Sequence, residues 1–476
     1  MLAESQMHPY HRLMVDHMTN VSKGAAWSFM GSGKTVSTLT ALAGMDMLGQ
    51  SRRPALILAP LRVARDVWPG EVAKWEHLRH LHISPMIGTE TQRLAGLHRE
   101  ADIYTINYEN LMWLIKTCGD RWPFGPIVID EATRIKSLRA SIRRNEHGTE
   151  WVQGKGGARA KGLLQTIYRF NTERIIELSG TPAPNGLLDL WGQIFPLDYG
   201  QRLGRVFEGY KERWFQSSFD GWGIEPLAHA SKEIHEAVSD ICMSLKAEDW
   251  FDLDTPIDTT VRVTLPPEAR KKYKEMEKQF FAEVNGHQIQ AFNAGAKTQK
   301  LLQFAAGAAY LGSPDDPGPR QWTVVHDEKL DALEEITEEL AGAPAIVSYQ
   351  FKSDLARIKK RFPYAVELDT KASTIEAWNK GRIKMLLAHP ASAGHGLSLQ
   401  YGGNVMIYFS VGWNAEEHQQ IFERIGPVRQ MQSGLNRVTY RYFIIAEGTL
   451  DEEVMDVQEG KFNVQDALLN AVRKRY

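Results

Sequence analysis

Met30-Gly31-Ser32-Gly33-Lys34-Thr35, followed by a helical segment that ends near Gly49, decides the fold. Small residues let successive backbone N–H groups face phosphate oxygens, and the N-terminus of the next helix adds partial positive charge. Lys34 is placed to reach the β and γ phosphates of a nucleotide, and the Thr35 hydroxyl to ligate Mg2+. The full G-x-x-x-x-G-K-[ST] spacing asks for glycine at position 28, where this chain has Ser28; the shortened GxGKT form is still specific. Downstream, Ile127-Val128-Ile129-Asp130-Glu131 sets two carboxylates at the end of an apolar run, where open α/β sheets place ligands. Asp130 suits Mg2+, and Glu131 suits orienting and activating an attacking water. Ser179-Gly180-Thr181-Pro182 closes another apolar run, and hydroxyls there can hydrogen-bond the two carboxylates and report the state of the phosphates. Alone, each string is also a common strand end or turn.

Around these motifs, short apolar runs at 55–59, 103–106, 127–129, 175–178, 345–348, 385–388 and 405–409 read as strands buried on both faces. Helix-period segments lie between many of them, including a charged one at 268–283 and an acidic amphipathic one at 327–340. The expected class is α/β, with parallel sheets in two groups of strands. The expected division is a first lobe over 1–199, a mostly helical, aromatic-rich insertion and linker over 200–259, and a second lobe over 260–476. The crossing is expected at 252–258.

Composition narrows the function. Hydrophobic residues at 43% and charged residues at 24% exclude a largely disordered chain. Lys+Arg number 56 against 58 Asp+Glu, so binding by bulk positive charge is excluded and any nucleic-acid site must be a local patch. Two cysteines, Cys118 and Cys242, exclude a disulfide framework and a Cys-rich zinc module, and fit a reducing cytoplasm. The first 20 residues carry His8, His11, Arg12, Asp16 and His17 rather than a signal-type apolar core. The longest stretch free of charge, 385–415, is too rich in Gly, Ser, Asn and His to span a bilayer. No membrane partner is expected.

The second half carries its own signals. Asn414 and Glu417 fit a helix N-cap and its capping partner, which puts Gln420 and Arg424 at i and i+4 on one face. Gly426-Pro427 ends that helix, and Arg429 follows on a new segment. The stretch 134–162 contains Arg134, Lys136, Arg139, Arg143, Arg144, Lys155, Arg159 and Lys161 against Glu146 and Glu150. Following the Asp130–Glu131 strand directly, with Gly154, Gly156 and Gly157 for flexibility, it reads as a contact for a phosphodiester backbone.

In order and spacing these motifs resemble those of superfamily-two helicase-like ATPases, and the second half resembles the Swi/Snf-type translocases. VRVTLPPEARKKY at 261–273 resembles the opening of their second lobe, AGHGLSLQ at 393–400 their fifth motif, and Trp413-Asn414 with Gln420, Arg424, Arg429 and Gln430 their sixth. The compact length and the ERIGPVRQ string look most like the small phage-encoded members. The resemblance implies two RecA-like P-loop lobes and a DNA-dependent ATPase, with ATP and Mg2+ in the cleft between the lobes. It implies duplex DNA as the partner and a bacterial host cytoplasm as the setting, alongside a phage or host replication, recombination or nuclease protein. It implies ATP-binding roles for Tyr10, His11, Gly31, Ser32, Gly33, Lys34, Thr35 and Gly396, and a coupling role for Ser179, Gly180 and Thr181. Catalysis would fall to Lys34, Asp130, Glu131, Gln420, Arg424 and Arg429, either arginine serving as the finger. Backbone contacts to DNA would come from Arg62, Thr105, Asn107, Lys352 and Ser353 besides Arg143, Arg144, Lys155 and Arg159. The chain departs from the family pattern at His11, where a glutamine usually reads adenine, at Thr133 of the DEAT string, and at Ser398 in place of asparagine. The rival readings are a strand-separating DNA or RNA helicase, a nucleotide-gated scaffold that does not hydrolyse, and an unrelated P-loop kinase.

Overall fold

Strands that are apolar at consecutive positions are stable only when both faces are covered, and the chain meets this condition twice. The computed structural model describes residues 1–51, 54–144, 150–155, 157–180, 182–183, 186–217, 224–284, 291–310, 321–369, 371–393 and 397–459. The chain divides into a first unit, Met1–Asp252, and a second, Leu253–Tyr476.

In the first unit seven strands form one sheet in the order Cys242–Leu245, Lys23–Ser28, Ile175–Ser179, Ile127–Asp130, Ala55–Ala59, Ile103–Asn107, Ile83–Pro85. Every pairing is parallel. One face, with Ile57, Val128 and Ile176, is covered by Met14 and Met18 of the Pro9–Asn20 helix and by Leu39, Leu42 and Met45 of the Lys34–Met47 helix. The other, with Leu56, Ile129 and Ile175, is covered by Leu111 and Leu114, by Leu163 and Ile167 of the Ala158–Arg169 helix, and by Trp191 and Ile194 of the Leu190–Asp198 helix.

The second unit repeats the plan with six parallel strands in the order Ile257–Val263, Tyr440–Ala446, Val405–Tyr408, Ala345–Ser348, Met385–Ala388, Val366–Glu367. The two expected helices span Pro267–Val284 and Glu328–Glu339. Lys329 on the latter makes a fully buried ion pair with Asp451, at 2.6 Å.

Two expectations differ from the fold. Residues 200–252 do not stand apart as an insertion. Cys242–Leu245 supplies the edge strand beside Lys23–Ser28, pairing Ala25 with Cys242, and Tyr210, Trp214 and Phe215 join the core around Trp191. The aromatic richness that looked like a separate module is core packing. The basic stretch is not a glycine-loosened loop either. Arg139–Arg144 and Glu150–Lys155 form an antiparallel hairpin, bridged at Ser141 to Val206. Arg139 lies 3.6 Å over the Phe207 ring and donates to the carbonyls of Lys136 and Leu138, which withdraws it from the surface. Cys118 and Cys242 are free thiols. Among the described residues no helix is long and apolar enough to cross a membrane.

Glu177 breaks the apolar rule in the middle of the first sheet. It is fully buried between Ala25 and Ile129 on the neighbouring strands, and neither carboxyl oxygen has a hydrogen-bond partner among the described residues. Burial alone holds its pKa well above the usual 4.5. Below that value both folded and unfolded chains carry the proton. As pH rises through it, the unfolded chain ionises first, so stability is lost with rising pH. Glu177→Gln, which keeps the shape without the ionisation, should raise the melting temperature at pH 8 by about 2–4 °C, the shift that 1 kcal/mol gives in a unit of this size. At pH 4.5 the gain should shrink markedly. Equal gains at both pH values in calorimetry would show that the carboxyl is not the source.

Candidate functional site

Three neighbouring strands of the first sheet, Lys23–Ser28, Ile175–Ser179 and Ile127–Asp130, run parallel, so their C-terminal ends lie side by side. Each is followed by one of the motifs singled out above. After Ser28 the chain must reverse into a helix within a few residues. Gly31 and Gly33 do this with φ of 81° and 74°, a region that L side chains avoid. Gly33 is the N-cap of the Lys34–Met47 helix. Ser28, at the position where glycine is more usual, is buried and shares a 2.8 Å hydrogen bond with the buried Ser32 hydroxyl. The serine therefore braces the loop from within. Lys34 folds back over the loop and donates to the carbonyls of Ser28 at 2.8 Å and Phe29 at 3.2 Å. Its ammonium lies 3.8 Å from where a Cβ on Gly180 would sit, so the end of the Ile175–Ser179 strand abuts the loop. Thr35 is half-buried in the first helical turn.

Asp130 is buried. One oxygen accepts a hydrogen bond from the indole N–H of fully buried Trp68 at 3.0 Å. Burial pushes its pKa up, against which the Trp68 hydrogen bond and the charge of Lys34 pull it down. The Asp130 carbonyl accepts the buried Tyr108 hydroxyl at 2.6 Å, which fixes the strand end. Glu131 then takes φ 60° and ψ 62°, left-handed and strained for a glutamate at a cost of order 1–3 kcal/mol. The strain turns the chain immediately after the buried aspartate. Asp130 and Thr35 offer the hard oxygen ligands Mg2+ prefers. That ion is commonly held by one or two protein oxygens with phosphate and water completing the shell. Among the described residues no cluster of three or more His, Cys, Asp or Glu suited to a metal occurs.

Tyr10 and His11, on the Pro9–Asn20 helix, lie beside the loop. A Cβ on Gly33 would fall 2.3 Å from His11 Nε2. Tyr10 is buried among Phe29, Trp250 and Phe251, with ring centroids 5.5–5.9 Å away. Ser179 is buried. Thr181 and Gly396 lie outside the described residues, as do the side chains of Arg144 and Lys155.

In the second unit the Asn414 side chain accepts the Glu417 N–H at 3.3 Å and caps the Ala415–Phe422 helix. That helix ends two residues before Arg424, so Gln420 and Arg424 do not form the expected i, i+4 pair on one helix. Gln420 donates to Glu416 at 3.1 Å. Arg424 is buried in the following turn. Arg429 is half-buried on the separate Pro427–Gln432 helix. Gln430 donates to the carbonyls of Gln400, Gly403 and Ile425 and accepts from Arg437, so it clamps the turn together.

The expected backbone-contact residues divide into enclosed and open ones. Thr105 is fully buried with its hydroxyl on the Ala64 carbonyl at 2.6 Å, and Asn107 is bonded to Glu109 and Asn110. Ser353 is fully buried. Thr105 and Asn107 lie on the core strand Ile103–Asn107, and Ser353 lies in the first turn of the Lys352–Arg361 helix. Arg143 is exposed and donates to Gln153, and Arg159 pairs with Glu109 at a half-exposed site. Arg62 is half-buried, and Lys352 is exposed. Sequence reasoning missed Trp68, Ser28 as a brace, and the Phe29–Trp250–Phe251 cluster. Nothing in the local spacing ties residue 68 or 250 to the loop; only the fold does.

A model of the SNF2-related domain matches residues 13–147. Protein p41 of Acyrthosiphon pisum secondary endosymbiont phage 1 is 45% identical over 472 residues, covering 98% of each chain. An ISWI chromatin-remodeling complex ATPase of Arabidopsis thaliana is 23% identical over 499 residues, covering 93% of this chain and 42% of its own length. An ATP-dependent helicase of Mycoplasma pneumoniae is 25% identical over 448 residues, covering 91% of this chain and 39% of its own. This chain thus spans about two-fifths of the length of those two relatives. The Sulfolobus solfataricus SWI2/SNF2 ATPase core in complex with dsDNA aligns over 95% of this chain and 90% of that one, at 20% identity and a TM-score of 0.43.

If Trp68 sets the charge state of Asp130, Trp68→Phe should lower Mg2+-dependent nucleotide turnover, kcat/KM, by about ten- to a hundredfold. That is the worth of a hydrogen bond to a charged group. The Mg2+ concentration for half-maximal rate should rise with it. Turnover and Mg2+ dependence equal to the parent's would remove Trp68 from the site.

Proposed function

Because the chain belongs to the SNF2-related family of helicase-like ATPases, we propose that it couples ATP hydrolysis to movement along duplex DNA. The observation that carries this reading is the alignment of three parallel strand ends, which sets Lys34, Gly180 and Asp130 at one edge of the first sheet. In this reading Lys34 and the amides of 31–35 hold the β and γ phosphates. Thr35 and Asp130 hold Mg2+, which when bound neutralises phosphate charge as a Lewis acid. Glu131 orients and activates the attacking water. Gln420, Arg424 and Arg429 come from the second unit to the triphosphate, and an arginine finger supplied in this way is worth ~10³–10⁵ in rate in related chemistry. Closure of the two units around ATP and reopening after hydrolysis would then step the protein along the backbone.

Support for a DNA track comes from Arg143 and Arg159, the open members of the basic stretch, beside Arg134, which is exposed. The first measurement is ATPase rate with duplex DNA, single-stranded DNA, RNA and no polymer. Stimulation by duplex DNA without strand displacement fits translocation. Displacement of an annealed strand would favour the helicase reading.

Glu131→Gln should abolish turnover and retain ATP binding, read by fluorescent-nucleotide titration beside a phosphate-release assay. Hydrolysis at the parent rate would show that Glu131 does not activate the water. Neutralising Arg143, Arg144, Lys155 and Arg159 together should weaken duplex binding and flatten log Kd against log salt by about 0.9 for each phosphate no longer neutralised. An unchanged slope would place the hairpin off the DNA.

A further inference from the structure

We propose that Ser410 and His418 are positioning residues that lock together two turns of the second unit, so that DNA engaged at one turn alters ATP hydrolysis through the other. One turn opens the Lys352–Arg361 helix and the other opens the Ala415–Phe422 helix. The proposal presupposes DNA-coupled ATP hydrolysis, with Lys352 on the phosphodiester backbone and Gln420 and Arg424 at the triphosphate.

The strands Ala345–Ser348 and Val405–Tyr408 are parallel neighbours, with Ser348 opposite Tyr408. Their C-terminal ends therefore release residues 349–351 and 409–414 side by side. The first segment leads to the exposed Lys352, the second to the Asn414 cap and then to Gln420. Two buried side chains tie these segments to each other. The Ser410 hydroxyl accepts the Gln350 N–H at 2.9 Å and donates to Asp354 at 2.7 Å. The same Asp354 oxygen accepts the Phe351 N–H at 3.1 Å, which closes the start of the Lys352–Arg361 helix. His418 Nε2 accepts the Gly412 N–H at 3.0 Å, and the Gln350 side-chain amide nitrogen lies 2.9 Å from the same atom. Accepting from Gly412 requires the lone pair on Nε2 and so places the ring proton on Nδ1. Burial, with His389 nearby, lowers the ring pKa to about 4, so this acceptor persists at neutral pH. Gln458 holds the Gly412 carbonyl at 2.5 Å.

Separating the two segments would strand the Gln350 and Gly412 N–H groups and the Asp354 carboxylate away from water, which costs far more than moving them together. A shift of the helix start at Lys352 is therefore passed to Gly412 and to the helix that carries Gln420.

The test is ATP turnover by the full chain with and without saturating duplex DNA, beside duplex affinity and a melting curve. Ser410→Ala should keep the parent's DNA-free kcat, KM for ATP and duplex Kd, while stimulation by DNA falls about tenfold, the kinetic worth of one hydrogen bond. Gly412→Ala is the second variant. Its Cβ would meet the Gln350 side-chain carbon and oxygen at 3.0 Å, pushing that amide off His418 without deleting a hydrogen-bonding group. It should lose stimulation in the same way, and it carries the test if Ser410→Ala melts early. Parent-like stimulation in the folded variants overturns the proposal. So does an equal loss of DNA-free and stimulated turnover, which would mark a structural role alone. A parent chain that hydrolyses no ATP, or ignores duplex DNA, would count first against the proposed function, and the latch would fall with it.

Discussion

The structure of the first unit depends on one turn. The chain leaves a strand buried on both faces at Ser28 and must start a helix at Lys34, and only the positive φ of Gly31 and Gly33 permits this in so few residues. The turn has no apolar core of its own. It is held by a chain of polar contacts: Ser28 to Ser32, Lys34 to two loop carbonyls, and His11 against Gly33. Each contact is made by a side chain that would be out of place elsewhere in a sheet this apolar. The loop is therefore specified by hydrogen bonding and backbone conformation, while everything beneath it is specified by burial.

The two acidic residues on adjacent strands show how differently one sheet can treat a buried carboxyl. Asp130 receives the Trp68 N–H and the field of Lys34, both of which favour its anion. Glu177, beside Ile129 and Ala25, receives neither, and burial raises its pKa well above the usual carboxylate value. The strained Glu131 adds a local cost immediately after Asp130. The charge needed for chemistry is thus confined to the strand ends, where a tryptophan, a lysine and a forced turn sustain it.

Much of the fold was legible because parallel strands advertise themselves as unbroken apolar runs. The runs at 55–59, 345–348 and 385–388 coincide with Ala55–Ala59, Ala345–Ser348 and Met385–Ala388. The strands that escaped notice lack that signature. Lys23–Ser28 reads KGAAWS, with small residues where β-branched ones are usual, because helices press closely against it. Cys242–Leu245, Ile257–Val263 and Tyr440–Ala446 lie at or next to a sheet edge, and their partly exposed positions carry polar residues. The hairpin after Asp130 was hidden by its charge: Ala140 and Val152 are its buried positions, and the arginines around them masked the alternation.

The candidate site was legible in its letters more than in its roles. GSGKT, the Asp130–Glu131 pair and Ser179-Gly180 are local strings, and local strings survive without knowledge of the fold. Roles depend on partners distant in sequence. Thr105 looked like a phosphate ligand until the backbone of Ala64 claimed its hydroxyl. Gln430 looked like part of an arginine motif, yet three carbonyls and Arg437 consume its amide. His11 looked like a weakened reader of a base, yet its Nδ1 is taken by the His8 amide and its Nε2 abuts Gly33 of the loop. In each case the residue type announced a hydrogen-bonding capacity, and only the tertiary structure determines where that capacity is spent. A polar side chain in such a motif can act on a ligand only to the extent that the fold has left it unsatisfied.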